Sequence, residues 1–352
     1  MVVIRICKMA TKALRLPTHF ARYSNHTNAP FVSQGSSPRA KIVTILGGVH
    51  GNELVGVEIV RWLQGLLNNA PFSTFDSMNG ELIVGLGNPK AIEAGTRACS
   101  SADDLNRCFI VKEDCIRQKN ILSYEDQRSL DIRPLLKETD ILLDIHATNK
   151  PSLPFIRIAG EQFTHRHHEV LKYFPHARIL LRDSKHTIGN GEISTTDEFV
   201  QYNGGVGICY EVGQAADMSC IDVVKNEVAE FLEKEVNLYL PQGSTDQTTC
   251  TTEYRKTREV NLEKFEMIEA INLLPNHKFE WASGTSDINN SFTMGSENFQ
   301  KFFANQPIGY MFDDMGNETV VSSPFDGYLV FPKVEELMVE GKPLVWIAKK
   351  TS

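Results

Sequence analysis

The stretch "KIVTILGGVHGNELVGVEIVRWLQGLL", residues 41 to 67, decides the fold class. Its first part, "KIVTILG", is short, β-branched and closed by glycine, which predicts a buried strand. Its second part places Leu54, Val57, Ile59, Val60, Leu63, Leu66 and Leu67 at helical spacing, so a helix follows at once. At the joint stand His50 and Glu53, three residues apart. Gly47, Gly48 and Gly51 surround them and are expected to let the backbone turn sharply, so that both side chains face one point.

The same alternation recurs downstream. "GELIVGLGNP" (80 to 89), "TDILLDIHA" (139 to 147) and "GVGICYEVG" (205 to 213) read as further buried strands. "IDVVKNEVAEFLEKEVNLYL" (221 to 240) is amphipathic, with Val224, Val228, Phe231 and Leu232 on one stripe. Strands alternating with helices predict an α/β fold: a mixed, mostly parallel sheet flanked by helices. In such sheets, sites form beyond the carboxyl ends of strands, and His50, His146 and Glu211 all fall at or just past strand ends.

Composition narrows the class. The chain has 352 residues, 41% of them hydrophobic, which is enough for two domains. Residues 241 to 252, "PQGSTDQTTCTT", are polar and aperiodic and predict a linker. Short strand-like pieces such as "FDGYLVFP" and "KPLVWIAKK" then predict a smaller, β-rich C-terminal domain over 253 to 352, behind a catalytic domain over 41 to 240. A net charge of −8 argues against binding nucleic acid. No apolar run approaches the roughly 18 residues of a membrane span. Seven scattered cysteines with no C-x-x-C predict reduced thiols in an intracellular protein. Seven basic residues precede the first acidic one, Glu53, so residues 1 to 40 read as an N-terminal extension or a targeting segment. The expected compartment is the cytoplasm, with the mitochondrion as the alternative.

Chemistry-bearing residues cluster in the same stretches. Imidazole nitrogen and carboxylate oxygen are both good Zn²⁺ ligands, and H-x-x-E on a turn can aim both at one ion. Alone the signal is weak, because such a pair at a helix start is more often a cap and a surface group. His146 ends an apolar strand, where a buried polar group needs a reason. As a third ligand it completes a two-His, one-Glu set with one open position; otherwise it is a satisfied core histidine beside Asp144. Glu211 is a carboxylate flanked by apolar residues, of use as a base near a metal-activated water, or else an ordinary strand-end residue. "DDLNRCF", 103 to 109, suits a loop that grips a carboxylate: Arg107 as a bidentate fork and Asn106 as an amide donor.

"GGVHGNELVG", "DLNR", "DIHAT" and "YEVG", in this order, resemble the succinylglutamate desuccinylase/aspartoacylase family, which belongs with the zinc carboxypeptidase-like hydrolases. The likeness covers about residues 41 to 240, and the β-rich C-terminal part fits the family's second domain. The resemblance implies one Zn²⁺ per chain held by His50, Glu53 and His146, with Glu211 as catalytic base and acid. It further implies that Asn106 and Arg107 bind substrate, that Asp104 is a structural acid, and that Arg97 is an oxyanion-side arginine. The implied substrate is a small N-acyl amino acid, and a homodimer is compatible with it. Two departures stand out. Asp197 and Gln201 occupy the neighbourhood where aspartoacylases carry an arginine, and Phe331 stands where they carry a tyrosine before proline. The acyl group and the amino acid therefore stay unassigned. Two other readings share part of the pattern: a zinc carboxypeptidase acting on peptides, and a non-catalytic zinc-binding protein.

Overall fold

The computed structural model describes residues 16–25, 40–99, 103–109, 121–159, 163–175, 177–182, 193–240, 263–285 and 291–351. The expected linker at 241 to 252, and most of the expected N-terminal extension, lie outside these residues.

The chain opens with β1 (Phe20–Ser24) and β2 (Ile42–Gly47), followed by α1 (Leu54–Asn68), β3 (Glu81–Leu86) and α2 (Pro89–Ala94). Next come α3 (Tyr124–Glu138), β4 (Ile141–Thr148), β5 (Phe155–Ala159), α4 (His165–Leu171) and β6 (Arg178–Arg182). α5 (Thr196–Tyr202), β7 (Val206–Gln214) and α6 (Ile221–Val236) complete the α/β part. The described residues that follow form strands, with one short 3₁₀ turn at Glu335–Leu337: β8 (Lys264–Asn272), β9 (His277–Trp281), β10 (Ser283–Thr285), β11 (Ser291–Thr293), β12 (Gln300–Phe302), β13 (Pro307–Asp313), β14 (Glu318–Ser322), β15 (Gly327–Val330) and β16 (Pro343–Thr351).

The main sheet has the order β1-β3-β2-β4-β7-β5-β6-β8-β16-β15-β12. β3, β2, β4 and β7 run parallel, and β5 turns the direction by pairing antiparallel with β7. The mixed sheet expected from the sequence is therefore present, and most of its pairings from β1 to β7 are parallel. Alternate residues of β2 serve opposite faces, as strand geometry requires. Val43 and Ile45 pack with Val57 and Val60 of α1 and Phe231 of α6. Ile42 and Leu46 pack with Leu135 of α3 and Val200 of α5. Helices thus cover both faces, and a strand buried on both sides explains the unbroken apolar runs.

Two features go beyond the sequence reading. Residues Phe20–Ser24, inside the segment expected as an extension, form an edge strand antiparallel to β3. The C-terminal strands also do not stand apart from the main sheet: β8 pairs parallel with β6, and β16 pairs with β8. β9, β13 and β14 form a separate small sheet. α3 was not expected because its apolar stripe is weak. It is fixed instead by a capping box, in which Ser123 Oγ accepts from Asp126 N at 3.0 Å and Asp126 Oδ2 accepts from Ser123 N at 3.0 Å. α6 ends at Val236, earlier than the pattern suggests, because Asn237 adopts a left-handed φ of 58° and closes the helix. No helix of the described residues is long and apolar enough to cross a membrane.

Candidate metal centre

The β2-to-α1 joint is tight because backbones meet there. A Cβ at Gly47 would sit 2.2 Å from Gly56 O, and one at Gly51 would sit 2.0 Å from the carbonyl carbon of Ala91. Only Gly48, at φ 64°, uses the left-handed region. The three glycines are therefore needed mainly for close approach, with one sharp turn among them.

This joint brings His50 and Glu53 to the end of β2, and β4 brings His146 beside them. One ligand atom from each lies within 4.8 Å of the others, and all three residues are buried. Glu53 bridges the two rings. Its Oε1 is 2.7 Å from His50 Nδ1, and its Oε2 is 2.9 Å from His146 Nδ1. Oε2 also accepts from Ala147 N at 3.0 Å. The far nitrogen of each ring meets an aspartate: His50 Nε2 lies 2.9 Å from Asp104 Oδ1, and His146 Nε2 lies 2.9 Å from Asp144 Oδ2. A carboxylate behind each imidazole fixes the tautomer and leaves Nδ1 free to act as a ligand. Asp144 is held in turn by Thr196 Oγ1.

Charge balance follows from this geometry. Burial opposes the ionised form of Glu53, but His50 and His146 outweigh it and hold the carboxyl well below its usual range. Burial also opposes a charged His146, yet Asp144 and Glu53 together push its imidazole well above the ordinary value. Two imidazole nitrogens and a carboxylate, buried together and each braced from behind, are donors that fit a Zn²⁺ ion.

Glu211 stands beside this cluster as the register partner of His146 on β7. It is only 7% exposed, and its Oε2 has no hydrogen-bond partner among the described residues. Burial, with the negative charge of Glu53, raises its carboxyl above the usual value, against the pull of His146 and Arg157. Such a carboxylate has proton affinity to spare and an oxygen with which to use it.

Arg97 donates to Asp104 Oδ2 from Nε at 3.2 Å and from Nη2 at 2.9 Å, while Nη1 lies 3.4 Å from Glu53 Oε1. It thus braces the acid that braces His50. Asp104 also caps the "DLNR" turn by accepting from Asn106 N at 2.9 Å. The Asn106 side chain is more committed than its expected donor role suggests, because its Oδ1 accepts from Thr196 N at 3.1 Å. Its amide N–H₂ has no hydrogen bond to the described residues. Arg107 donates only to the carbonyl of Asn106, at 2.6 Å, among the described residues.

These side chains line one pocket of about 610 Å³, part of it open to solvent. The sequence reading missed three of its cations, Arg157, Lys333 and Lys150, the last just past the end of β4. Arg157, on β5, is paired with Asp197 at 2.5 Å and 3% exposed. Lys333 follows β15 and reaches the pocket from the C-terminal strands. A buried arginine inside the apolar run "FIRIA" was the available signal for the first; nothing local pointed to the second. Asp197, which stands where aspartoacylases are expected to carry arginine, thus serves here to hold an arginine delivered from another strand. Cys209 also lines the pocket, and burial pushes its thiol well above the ordinary value, which favours the protonated, weakly nucleophilic form. Cys99, Cys108, Cys209 and Cys220 form no disulfide among the described residues.

The model of the succinylglutamate desuccinylase/aspartoacylase catalytic domain matches residues 39–232. The chain is 37% identical over 111 residues to a probable aspartoacylase of Nostoc sp. (strain PCC 7120 / SAG 25.82 / UTEX 2576), a match covering 30% of this chain and 35% of that one. It is 31% identical over 123 residues to the aspartoacylase of Danio rerio, covering 31% and 34%. These matches span about a third of the length of either relative. Among solved structures, a succinylglutamate desuccinylase of Vibrio parahaemolyticus superposes with a TM-score of 0.62 at 15% identity, over 91% of this chain and 84% of that one. Murine aminoacylase 3 superposes at 0.57 and 16% identity, over 90% and 97%. At such identities the likeness is one of fold, and that fold is the α/β sheet with a β-rich C-terminal region described above. Since the family match takes in more than half of the sequence and contains every residue of the His-Glu-His cluster, the chain belongs to the succinylglutamate desuccinylase/aspartoacylase family.

Proposed function

We propose that this protein is a zinc-dependent amidohydrolase that removes the acyl group from a small N-acyl amino acid. The observation that carries the reading is a free carboxylate oxygen, Glu211 Oε2, beside the His50–Glu53–His146 cluster in a pocket that also presents Arg107 and Asn106. One Zn²⁺ per chain would be held by His50, Glu53 and His146. When bound, it supplies Lewis acidity and lowers the pKa of water toward about 7.

The chain's own residues do the rest. Arg107 and the amide of Asn106 bind the amino-acid carboxylate and fix the scissile amide in place. Glu211 takes a proton from the attacking water and delivers it to the leaving nitrogen as the C–N bond breaks. The products are a carboxylic acid and a free amino acid. Arg97, steadied by Asp104, is the cation on the side where oxyanion charge develops. A structural zinc site has no use for a base, and Glu211 beside the ligands speaks for catalysis over a purely structural ion.

In this reading residues 41 to 240 carry the chemistry and residues 253 to 352 complete the pocket. Asn298, Phe331, Pro332, Lys333 and Trp346 wall it from the C-terminal side. That enclosure suits a small substrate better than an extended peptide. The test is a hydrolysis screen of zinc-loaded protein on acetyl-, succinyl- and formyl-amino acids, run beside peptides of several residues. Cleavage of the acyl-amino acids supports the proposal. Preferential cleavage of the peptides makes the protein a carboxypeptidase, and bound zinc without hydrolysis of either makes it non-catalytic.

A further inference from the structure

Five cations line the pocket, and they are not equivalent. Arg97 is committed to Asp104 and Glu53, and Arg157 to Asp197. Arg107, Lys150 and Lys333 have no carboxylate of the described residues within ion-pair distance. Arg107 is accounted for by the amino-acid carboxylate, which leaves two lysines, and Lys333 is the one that the C-terminal strands bring into the pocket.

The fold takes trouble over Lys333. Phe331, two residues earlier, has a φ of 53°, a left-handed conformation that residues with a Cβ seldom adopt. Phe331 N donates to Oδ1 of the buried Asn298 at 2.7 Å. Its ring packs edge-on against Phe155 at 5.4 Å and Trp346 at 5.9 Å. Lys333 N donates to Leu344 O at 2.9 Å, and Lys333 Nζ lies 5.8 Å from the centroid of the Trp346 ring. Strain clamped on every side is characteristic of functional loops. Here its effect is to turn Pro332 and Lys333 into the pocket. An ordinary lysine keeps its ammonium in bulk water along an apolar stem. This one is drawn into a pocket where burial, with Arg97 and Arg107 nearby, lowers it to about 8. A cation so placed asks for an anion.

We propose that Lys333 is a specificity-determining residue whose ammonium takes a second anionic group of the substrate, so that preferred substrates carry a carboxylate beyond the one bound by Arg107. This rests on the deacylation reading above. The second carboxylate could sit on the amino-acid side chain or on the acyl chain, and both present the same chemistry to Lys333.

Two substrate pairs separate these sources: N-acetylaspartate against N-acetylasparagine, and N-succinylalanine against its succinamoyl analogue. Each pair differs only by carboxylate against amide. The readout is the ratio of kcat/KM within a pair, which a loss of folded enzyme leaves untouched. Wild-type protein is expected to favour the charged member of one pair by roughly tenfold or more. Lys333→Met should abolish that preference, chiefly through KM, and Lys333→Arg should restore part of it. A preference that survives Lys333→Met, or none in either wild-type pair, overturns the proposal. If no amide is hydrolysed, the deacylation reading has failed instead. Calorimetry of succinate against succinamate on the zinc-loaded protein then decides for Lys333. Tighter succinate binding that is lost in Lys333→Met upholds the assignment, and equal binding of the two ligands by wild type rejects it.

Discussion

His146 and Glu211 are register partners on the neighbouring parallel strands β4 and β7. Side chains at paired positions of adjacent strands point to the same side of the sheet, so the pairing itself sets the proposed base beside a proposed ligand. Both then sit at the carboxyl end of the parallel strands, where α/β sheets form their sites.

Glu211→Gln keeps the size of the side chain and removes its capacity to take a proton. Turnover of N-acyl amino acids should fall about a thousandfold, with zinc retained. Steady-state rates and elemental analysis on one preparation check both halves. Wild-type turnover in the variant would remove Glu211 from the mechanism.

His146→Ala deletes one of three donors and leaves Glu53 and Asp144 without the ring that lies between them. The variant should lose its zinc on dialysis against a weak chelator. Unchanged metal content by elemental analysis excludes His146 from the ligand set.

Asp144→Asn leaves all three donors in place and weakens only the group behind His146. Zinc affinity should drop about 10- to 100-fold, measured by competition with a chromogenic chelator. Affinity equal to wild type would mean that the carboxylate behind His146 adds nothing to metal binding.

Gly51→Ala tests the close approach at the β2–α1 joint. The new methyl would meet the Ala91 backbone at 2.0 Å, and backbone yields poorly. Stability should fall by about 2 kcal/mol, read as a lower denaturant midpoint in metal-free protein. An unmoved midpoint would show that the start of α2 shifts freely.

The charge on Lys333 gives a pH dependence. Its ammonium titrates at about 8; burial and the facing Arg97 and Arg107 lower it, while Asp104 and Glu211 pull the other way. Below that pH the group is charged and attracts a second carboxylate. Above it the charge is lost, so the charged-over-amide ratio of kcat/KM should decline as pH rises through about 8. A ratio that stays flat across this range would place the discrimination elsewhere.

Much of the catalytic half was legible because its signals are local. β2, β3, β4 and β7 are continuous apolar runs buried on both faces, and α1 and α6 carry clear stripes. His50, Glu53, His146 and Glu211 could be found because each is a polar residue at the end of such a run. Arg157 and Lys333 depend instead on pairings between distant parts of the chain. Arg157 reaches the pocket only because β5 runs antiparallel to β7, placing it opposite Cys209. Lys333 reaches it only because β15 joins the main sheet through β16 and β8. Neither long-range register leaves a trace in local periodicity.

The left-handed Phe331 has a consequence for how the pocket can vary. The cluster that suits a metal is built at the ends of parallel strands, whereas Lys333 hangs from a bend beyond β15 that Asn298 secures. Substitutions at Phe331, Asn298 or Lys333 can therefore reshape which molecules fit while the His50–Glu53–His146 cluster stays intact. A change at Gly51 or Asp144 would have the opposite effect, weakening the chemistry for every substrate alike. Reaction type and substrate choice are thus separately adjustable in this chain.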